Sequence, residues 1–147
     1  MSAHNPYAPP KAMVDAGPGV ADIDSLPVSA AWKRRFKAMR KAGGPSLPNF
    51  KNLSREERKA LSPFNVLAFL FGPFYYFAKG MWKKGLTLFV LCLIGLLILD
   101  TVMVLAGLGS HARATGFAAA AVYGTLASRD YYAKMVLGQD GWWWHRS

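Results

Sequence analysis

Cysteine, histidine and acidic residues are all scarce in this sequence. Cys92 is the only cysteine among the 147 residues, so an intrachain disulfide and a C-x-x-C metal or redox motif are both excluded. The three histidines, His4, His111 and His145, lie in distant contexts and form no metal-ligating pattern. The sequence also has no phosphate-cradling glycine loop and no nucleophile elbow. We therefore expect a non-enzymatic protein without a metal, a cofactor or a small-molecule substrate.

The shortage of acidic residues leaves the chain strongly basic. Eight acidic residues oppose 18 lysines and arginines, and the formal net charge is +10. Ten of the 18 cations lie between Lys33 and Lys59, where Glu56 and Glu57 are the only acids. Beside a membrane segment such a block predicts attraction to anionic lipids, whereas in a soluble chain it would indicate nucleic acid. We expect anionic membrane lipids as the partner, with a membrane-tethered nucleic-acid-binding protein as an alternative.

The longest apolar stretch covers residues 64–108 and predicts membrane insertion. Its second part, residues 85–108, contains a single ionisable residue, Asp100, and as a helix would cross a bilayer core of about 30 Å. Its first part, residues 64–78, is short for a crossing helix and carries the structural break Gly72-Pro73. We therefore predict a re-entrant or interfacial kinked helical segment there, followed by a transmembrane helix.

Cationic and aromatic residues flank this stretch on its N-terminal side. From Ser29 onward Trp32, Phe36 and Met39 recur at helical spacing among cations, which predicts a basic amphipathic helix. Its apolar stripe is compatible with lying on the membrane and with packing against the rest of the protein. We expect this helix and the lysine-rich loop near residue 80 to contact the lipid surface through Trp32, Lys33, Arg34, Arg35, Lys37, Arg40, Lys79, Trp82, Lys83 and Lys84.

A second transmembrane helix is predicted for residues 112–128. Small residues recur there at four-residue spacing and share one helix face, which allows membrane helices to approach closely. We expect this face to pack against the first transmembrane helix or against a second copy of the chain. Its residues are Gly116, Ala120, Gly124 and Ser128.

Asp100 is costly within a membrane, so it should face a partner or a water-filled space. We favour a structural pair with Arg113 or His111, just beyond the turn that follows the helix. The alternative is a proton or cation site. Together with the Gly72-Pro73 break, that site would indicate an oligomeric channel or transporter subunit.

The sequence thus predicts an all-α membrane protein with four parts. Two transmembrane helices form a hairpin, preceded by the re-entrant or interfacial segment and by the basic amphipathic helix. Both termini are expected in the cytoplasm, because a crossing at 64–78 would translocate three lysines. The predicted parts are a disordered proline-rich tail (1–28), a cytoplasmic basic helical region (29–62), a membrane domain (63–132) and a cytoplasmic aromatic tail (133–147).

Several short motifs carry a family resemblance. They are Phe64-Asn65, Ala68-Phe69, Phe71-Gly72-Pro73-Phe74-Tyr75-Tyr76-Phe77, Lys79-Gly80-Met81-Trp82-Lys83-Lys84-Gly85, Tyr123-Gly124 and Arg129-Asp130-Tyr131-Tyr132. The chain resembles the bacterial family catalogued as domain of unknown function 2628, which includes proteins called HrgC-like. Where those relatives show Ala-Asn-Arg before the paired tyrosines, this chain has Ala127-Ser128-Arg129. The resemblance implies a multi-pass bacterial inner-membrane protein and supplies no reaction. We expect an accessory or partner-binding subunit that contacts a membrane protein or its own copy.

Overall fold

Helices make up the regular secondary structure of the part of the chain that the structure describes. The computed structural model describes residues 20–62, 64–109 and 112–144, with the backbone alone for residues 112 and 113. The all-α class predicted from the sequence is confirmed for these residues. The helices are α1 (Ala30–Lys41), α2 (Arg55–Leu61), α3 (Val66–Phe71), α4 (Pro73–Ala78), α5 (Trp82–Leu105) and α6 (Ala112–Leu137), with single 3-10 turns at Ile23–Ser25 and Phe50–Asn52.

The apolar stripe of α1 packs against the protein. The Phe36 side chain is fully buried, and its ring lies 5.6 Å from the rings of both Tyr131 and Tyr132 on α6. Met39, one turn further along α1, is buried as well. Of the two arrangements compatible with the sequence, the structure has the stripe against α6, while Arg34, Lys37 and Lys41 are exposed. The helix ends at Lys41, and Gly43, two residues further on, has a φ of +91°, a left-handed conformation that suits glycine.

Local hydrogen bonds determine where α2 begins. The Ser54 hydroxyl accepts a hydrogen bond from the backbone amide of Glu57, and the Glu57 carboxylate accepts one from the backbone amide of Ser54. The capping box predicted from the sequence is therefore confirmed.

The short helices α3 and α4 form an elbow, defined here as residues 64–80. The Asn65 side chain accepts a hydrogen bond from the Ala68 amide and caps α3. Gly72 has φ of +50° and ψ of −123°, a conformation that glycine allows, and Pro73 begins α4. The chain therefore breaks between the two helices at the Gly72-Pro73 pair.

Helices α5 and α6 run antiparallel, and both ends of the elbow contact the same end of this pair. Lys134 on α6 donates a hydrogen bond to the Gly80 carbonyl beside the start of α5, and the Tyr123 hydroxyl donates one to the Gly85 carbonyl. At the other end of the elbow, the Asn65 amide donates to the Gly124 carbonyl. The elbow therefore enters and leaves at the Trp82 end of α5.

Helix α5 is the one helix of the described residues that is long and apolar enough to cross a membrane. Only 6% of its most apolar window is buried within the protein. Helix α6 has similar length and is less apolar, so the predicted pair of transmembrane helices is not confirmed. A large apolar surface of α5 therefore faces away from the rest of the chain.

Candidate functional site

A buried ion pair lies between α5 and α6, near the Trp82 end of α5. The Lys84 ammonium is 3.7 Å from the Asp130 Oδ1, and the two side chains are only 4% and 2% exposed. Two charges removed from water stabilise a fold only when further hydrogen bonds satisfy them. This pair therefore needs further hydrogen bonds from its surroundings.

Two aromatic side chains complete the environment of Asp130. The Tyr76 hydroxyl on α4 donates a hydrogen bond of 2.8 Å to the Asp130 Oδ2. The Trp144 indole donates one of 2.6 Å to the Oδ1. Burial raises the pKa of Asp130, while the hydrogen bond from Tyr76, the charge of Lys84 and the hydrogen bond from Trp144 act in the opposite direction. We call these four residues the Asp130 cluster.

A cavity of about 400 Å³ opens beside the Asp130 cluster. Lys84, Asp130 and Trp144 line it together with Arg129. Arg129 is exposed, and no side chain of the described residues forms an ion pair or a hydrogen bond with its guanidinium. The remaining lining residues are Pro45, Ser46, Leu126, Ala133, Leu137 and Gln139. We call this space the Arg129 cavity.

Three of the residues expected to contact lipid meet one another on the protein, and their contact with lipid stays a prediction. The Arg35 guanidinium lies 4.7 Å from the Trp32 ring centre, and the Lys79 ammonium lies 5.5 Å from the same ring. The Trp32 ring contacts the Tyr131 ring edge-on at 4.8 Å. Arg35 also donates a hydrogen bond to the Ser128 hydroxyl. These contacts hold the start of α1 against α4 and α6.

The other expected lipid contacts differ in their surroundings. Lys37 pairs with Asp24 at the exposed surface at 2.7 Å, and Arg40 donates a hydrogen bond to the Ala21 carbonyl. Arg34 is exposed. Lys33 donates a hydrogen bond to the Asp24 carbonyl, and Lys83 donates one to the Asp140 carbonyl. The Trp82 ring packs on the Trp142 ring at 5.3 Å. Lys84 differs from the others, because it is only 3% exposed and forms an ion pair with Asp130. Its contact with lipid stays a prediction.

The small-residue face of α6 is divided between two environments. A Cβ atom on Gly124 would lie 2.6 Å from the Phe64 ring, so the elbow packs closely against this glycine. Ser128 is buried beneath Arg35. Gly116, near the other end of the face, has no atom close to where its Cβ would be, and Ala120 is half-buried. Contact of the outer half of this face with another helix stays a prediction.

Asp100 lies half-buried in the last third of α5. The Arg113 side chain and His111, the two partners expected for it, lie outside the described residues. Its pairing therefore stays a prediction. No group of three or more histidine, cysteine, aspartate or glutamate side chains is placed to hold a metal ion within the described ranges.

An apolar recess lies where the elbow approaches the middle of the helix pair. Gly72 and Pro73 line it together with Phe89 and Leu96 of α5, and its volume is about 520 Å³. At about 1.5 Å of rise per residue, Phe89 and Leu96 lie roughly 10 and 20 Å along α5 from Trp82. The tip of the elbow therefore reaches deep along the apolar part of α5. We call this space the elbow recess.

The central residues of the Asp130 cluster were not identified from the sequence. Asp130 follows the apolar part of α6 and precedes two tyrosines, and this position was a usable signal for a buried acid near a membrane boundary. Nothing local indicated that Trp144 would fold back onto it. Its hydrogen bond depends on the chain turning after α6 at Gly138, which has φ of +66°.

Comparison with known proteins identifies relatives of this chain. Residues 21–136 match the family described as "Protein of unknown function (DUF2628)". Two relatives, each named "Uncharacterized protein YigF", come from Salmonella typhimurium strain LT2 and Salmonella typhi. Each is 27% identical over 127 residues, which cover 82% of this chain and 94% of the relative. No solved structure matches the chain significantly. Because the family match spans most of the sequence and includes the elbow together with Tyr76, Lys84 and Asp130 of the cluster, the chain belongs to the DUF2628 family.

Proposed function

We propose that the protein is a non-enzymatic accessory protein of the bacterial inner membrane. In this proposal α5 and the first part of α6 cross the bilayer as a hairpin, and the elbow enters the membrane without crossing it. The helices α1 and α2 remain in the cytoplasm and attract anionic lipids. A membrane protein or a second copy of the chain packs against the outer part of α6.

The observation that carries the proposal is the exposure of α5. The core helix of a soluble protein buries most of its apolar residues, whereas 6% of the apolar window of α5 is buried here. Leu97, Ile98 and Leu105 each expose more than half of their surface. Exposed apolar patches of this size are rare on soluble monomers. A lipid environment removes the cost of exposing them.

The elbow supports membrane insertion independently of α5. Leu70 and Phe74, on either side of the break, are 66% and 72% exposed. They lie beside the elbow recess, at the level of the apolar middle of α5. Water around the elbow would leave these apolar side chains hydrated, whereas lipid would bury them. At the break the Gly72 amide donates to the Ala68 carbonyl and the Tyr75 amide donates to the Gly72 carbonyl, so part of the backbone there is satisfied within the elbow.

The distribution of cations supports the orientation. Lys79, Lys83 and Lys134 lie at the Trp82 end of the helix pair, and the basic helix α1 packs at this same end. Lysines and arginines close to membrane segments are retained on the cytoplasmic side. The Trp82 end is therefore cytoplasmic in the proposal, and the connection between α5 and α6 faces the periplasm.

The channel alternative has less support than the accessory role. A conduit at the Gly72-Pro73 break requires polar groups or water along its path. The elbow recess is lined mainly by aromatic and aliphatic side chains, among them Phe69, Phe71 and Leu93. Such a lining suits an acyl chain or an apolar side chain better than an ion.

Cysteine labelling tests the topology. In a Cys92→Ser background we would introduce Leu108→Cys between α5 and α6, Asn52→Cys beside α2 and Phe74→Cys at the tip of the elbow. With an impermeant thiol reagent, we expect Leu108→Cys alone to react in cells with a permeabilised outer membrane. In inside-out vesicles we expect Asn52→Cys to react and Phe74→Cys to remain unlabelled.

The labelling has internal controls. All three cysteines should react once the protein is unfolded in detergent, which excludes an unreactive thiol as the cause of protection. Labelling of both Leu108→Cys and Asn52→Cys from the same side of the membrane would contradict the hairpin. Rapid labelling of Phe74→Cys in inside-out vesicles would contradict insertion of the elbow.

A separate experiment tests the accessory role. The protein, extracted in mild detergent, should run as an assembly with its own copy or with a copurifying membrane protein, as measured by light scattering and mass spectrometry. Gly116→Ile adds bulk to the open half of the small-residue face and should disrupt that assembly. Ala114→Ile, on another face of α6, is the matched control and should not. A monomer without a copurifying protein would exclude this role.

A further inference from the structure

We propose that the Arg129 cavity binds a phosphate group, carried by an anionic phospholipid headgroup or by a soluble phosphate ester. Neither the family description nor the similarity to the YigF proteins assigns a ligand to this position. Three features favour a phosphate group here: the charges that line the cavity, the unsatisfied donors of Lys84 and the position of the cavity in the fold.

The charged lining of the cavity favours an anion. Lys84 and Arg129 contribute two positive charges, and Asp130 contributes the single negative one. Asp130 is engaged by Tyr76 and Trp144, so both of its oxygens already accept hydrogen bonds. The lining therefore has a net positive charge, and its carboxylate is turned toward donors of the protein.

Lys84 is short of hydrogen-bond partners for a buried cation. Its ammonium has three N–H donors, and within the described residues its partner is Asp130, at 3.7 Å. That distance exceeds the roughly 2.7 to 2.9 Å of a charge-assisted hydrogen bond. A buried charge is costly unless hydrogen bonds satisfy it. Because Lys84 lines the cavity, an oxygen anion bound there would supply the missing acceptors.

Arg129 supplies the second recognition element. Arg129 lines the cavity and is exposed, and no described side chain pairs with its guanidinium. A guanidinium offers a planar set of donors that matches two phosphate oxygens, whereas a lysine acts as a point charge. The exposed Arg129 and the buried Lys84 line the same cavity and thus offer complementary contacts to one phosphate group.

The walls of the cavity suit an amphiphilic ligand. Leu126, Ala133 and Leu137 provide apolar lining beside the charged residues, while Gln139 provides a polar amide. The cavity lies near the Trp82 end of α5, where Trp82 packs on Trp142. In the proposed topology, on which the lipid source of the phosphate depends, this is the depth of the cytoplasmic headgroups.

Binding to the full-length protein in detergent tests the proposal without depending on the topology. Isothermal titration calorimetry would compare three probes: dihexanoyl phosphatidylglycerol, glycerol 3-phosphate and the uncharged dihexanoylglycerol. We expect one or both phosphate compounds to bind and dihexanoylglycerol not to bind. If dihexanoyl phosphatidylglycerol binds and glycerol 3-phosphate does not, the cavity recognises a lipid headgroup. If glycerol 3-phosphate binds as tightly as dihexanoyl phosphatidylglycerol or more tightly, a soluble phosphate ester is sufficient.

Charge-matched variants show whether the cavity is the site. Arg129→Gln should weaken phosphate binding by about tenfold or more, as expected for the loss of a charge-assisted hydrogen bond. Arg55→Gln removes the same charge from exposed α2, outside the cavity, and should change the affinity by less than about twofold. Arg129→Lys should recover part of the loss.

Three results would overturn the proposal. They are the absence of binding by both phosphate compounds, equal binding of dihexanoylglycerol, and equal effects of Arg129→Gln and Arg55→Gln. Thermal unfolding of each variant without ligand shows whether the protein remains folded. We expect Arg129→Gln to remain folded, because Arg129 is exposed. A failure of the cysteine labelling described above would remove the membrane location and leave phosphate binding in detergent as an independent result.

Discussion

Gly85 provides a sharp test of how the elbow packs against α5. A Cβ atom at this position would lie 2.7 Å from the Tyr76 Cβ and 3.4 Å from the Tyr76 Cγ. The Tyr76 Cβ is attached directly to the backbone of α4, and the Tyr76 side chain is fully buried. Rotating a side chain therefore cannot relieve the contact. Gly85→Ala must move α4 away from α5 or strain both helices.

The expected loss of stability combines three contributions. Overpacking a buried contact costs about 1 to 3 kcal/mol. A shift of α5 to relieve the contact would also weaken the hydrogen bond of 3.2 Å from the Tyr123 hydroxyl on α6 to the Gly85 carbonyl, a loss of about 1 kcal/mol. Alanine in place of glycine in a helix regains up to about 1 kcal/mol. We expect the free energy of unfolding to fall by about 1 to 3 kcal/mol.

Gly95→Ala is the matched control for this change. Gly95 lies on the same helix, and a Cβ atom there would meet no other atom within 4 Å. Thermal unfolding in mild detergent should give a Tm several degrees lower for Gly85→Ala, and an unchanged or higher Tm for Gly95→Ala. Equal Tm values for the two variants would refute the close approach of α4 and α5.

Three further changes test other contacts by the same thermal unfolding. Gly124→Ile should lower the free energy of unfolding by about 3 kcal/mol or more, because even a Cβ atom would lie 2.6 Å from an aromatic ring of the elbow. Val122→Ile, at an exposed position, should lower it by less than about 0.5 kcal/mol. Similar losses for the two variants would count against the packing of the elbow on α6. Asp130→Asn leaves Lys84 buried without its counter-charge and should cost about 3 to 5 kcal/mol. Adding Lys84→Gln should recover part of that loss, and simple additivity of the two changes would rule out a direct interaction. Ser54→Ala removes the cap of α2 and should cost about 1 kcal/mol, so an unchanged Tm would show that this short helix does not depend on its capping box.

Features that depend on a few neighbouring residues could be predicted from the sequence. The length and composition of α5 identify the helix that can cross a membrane. The capping box at Ser54, the cap at Asn65 and the break at Gly72-Pro73 all act within four residues of backbone. The family could also be recognised, because its motifs are short and lie along the central part of the chain.

The environments of the lysines near residue 80 could not be predicted from the sequence. Lys79, Lys83 and Lys84 occupy one loop and helix start, and composition alone treats them as equivalent surface cations. Their differences come from residues far away in the sequence, since Lys84 meets Asp130 and Lys79 meets the Tyr131 ring. Neither contact leaves a periodic or local signal near residue 80.

The sequence by itself determined that the chain is helical, that α5 is a long apolar helix, and that short helices begin and end at particular caps and breaks. These follow from backbone hydrogen bonding and from apolar length, which act over one or two helical turns. Only the tertiary structure decided that the elbow folds back on α5 and α6, that Lys84 is buried and that Trp144 returns to Asp130. Those outcomes depend on which distant side chains fill the space beside a buried charge, and burial is a property of the whole packed chain.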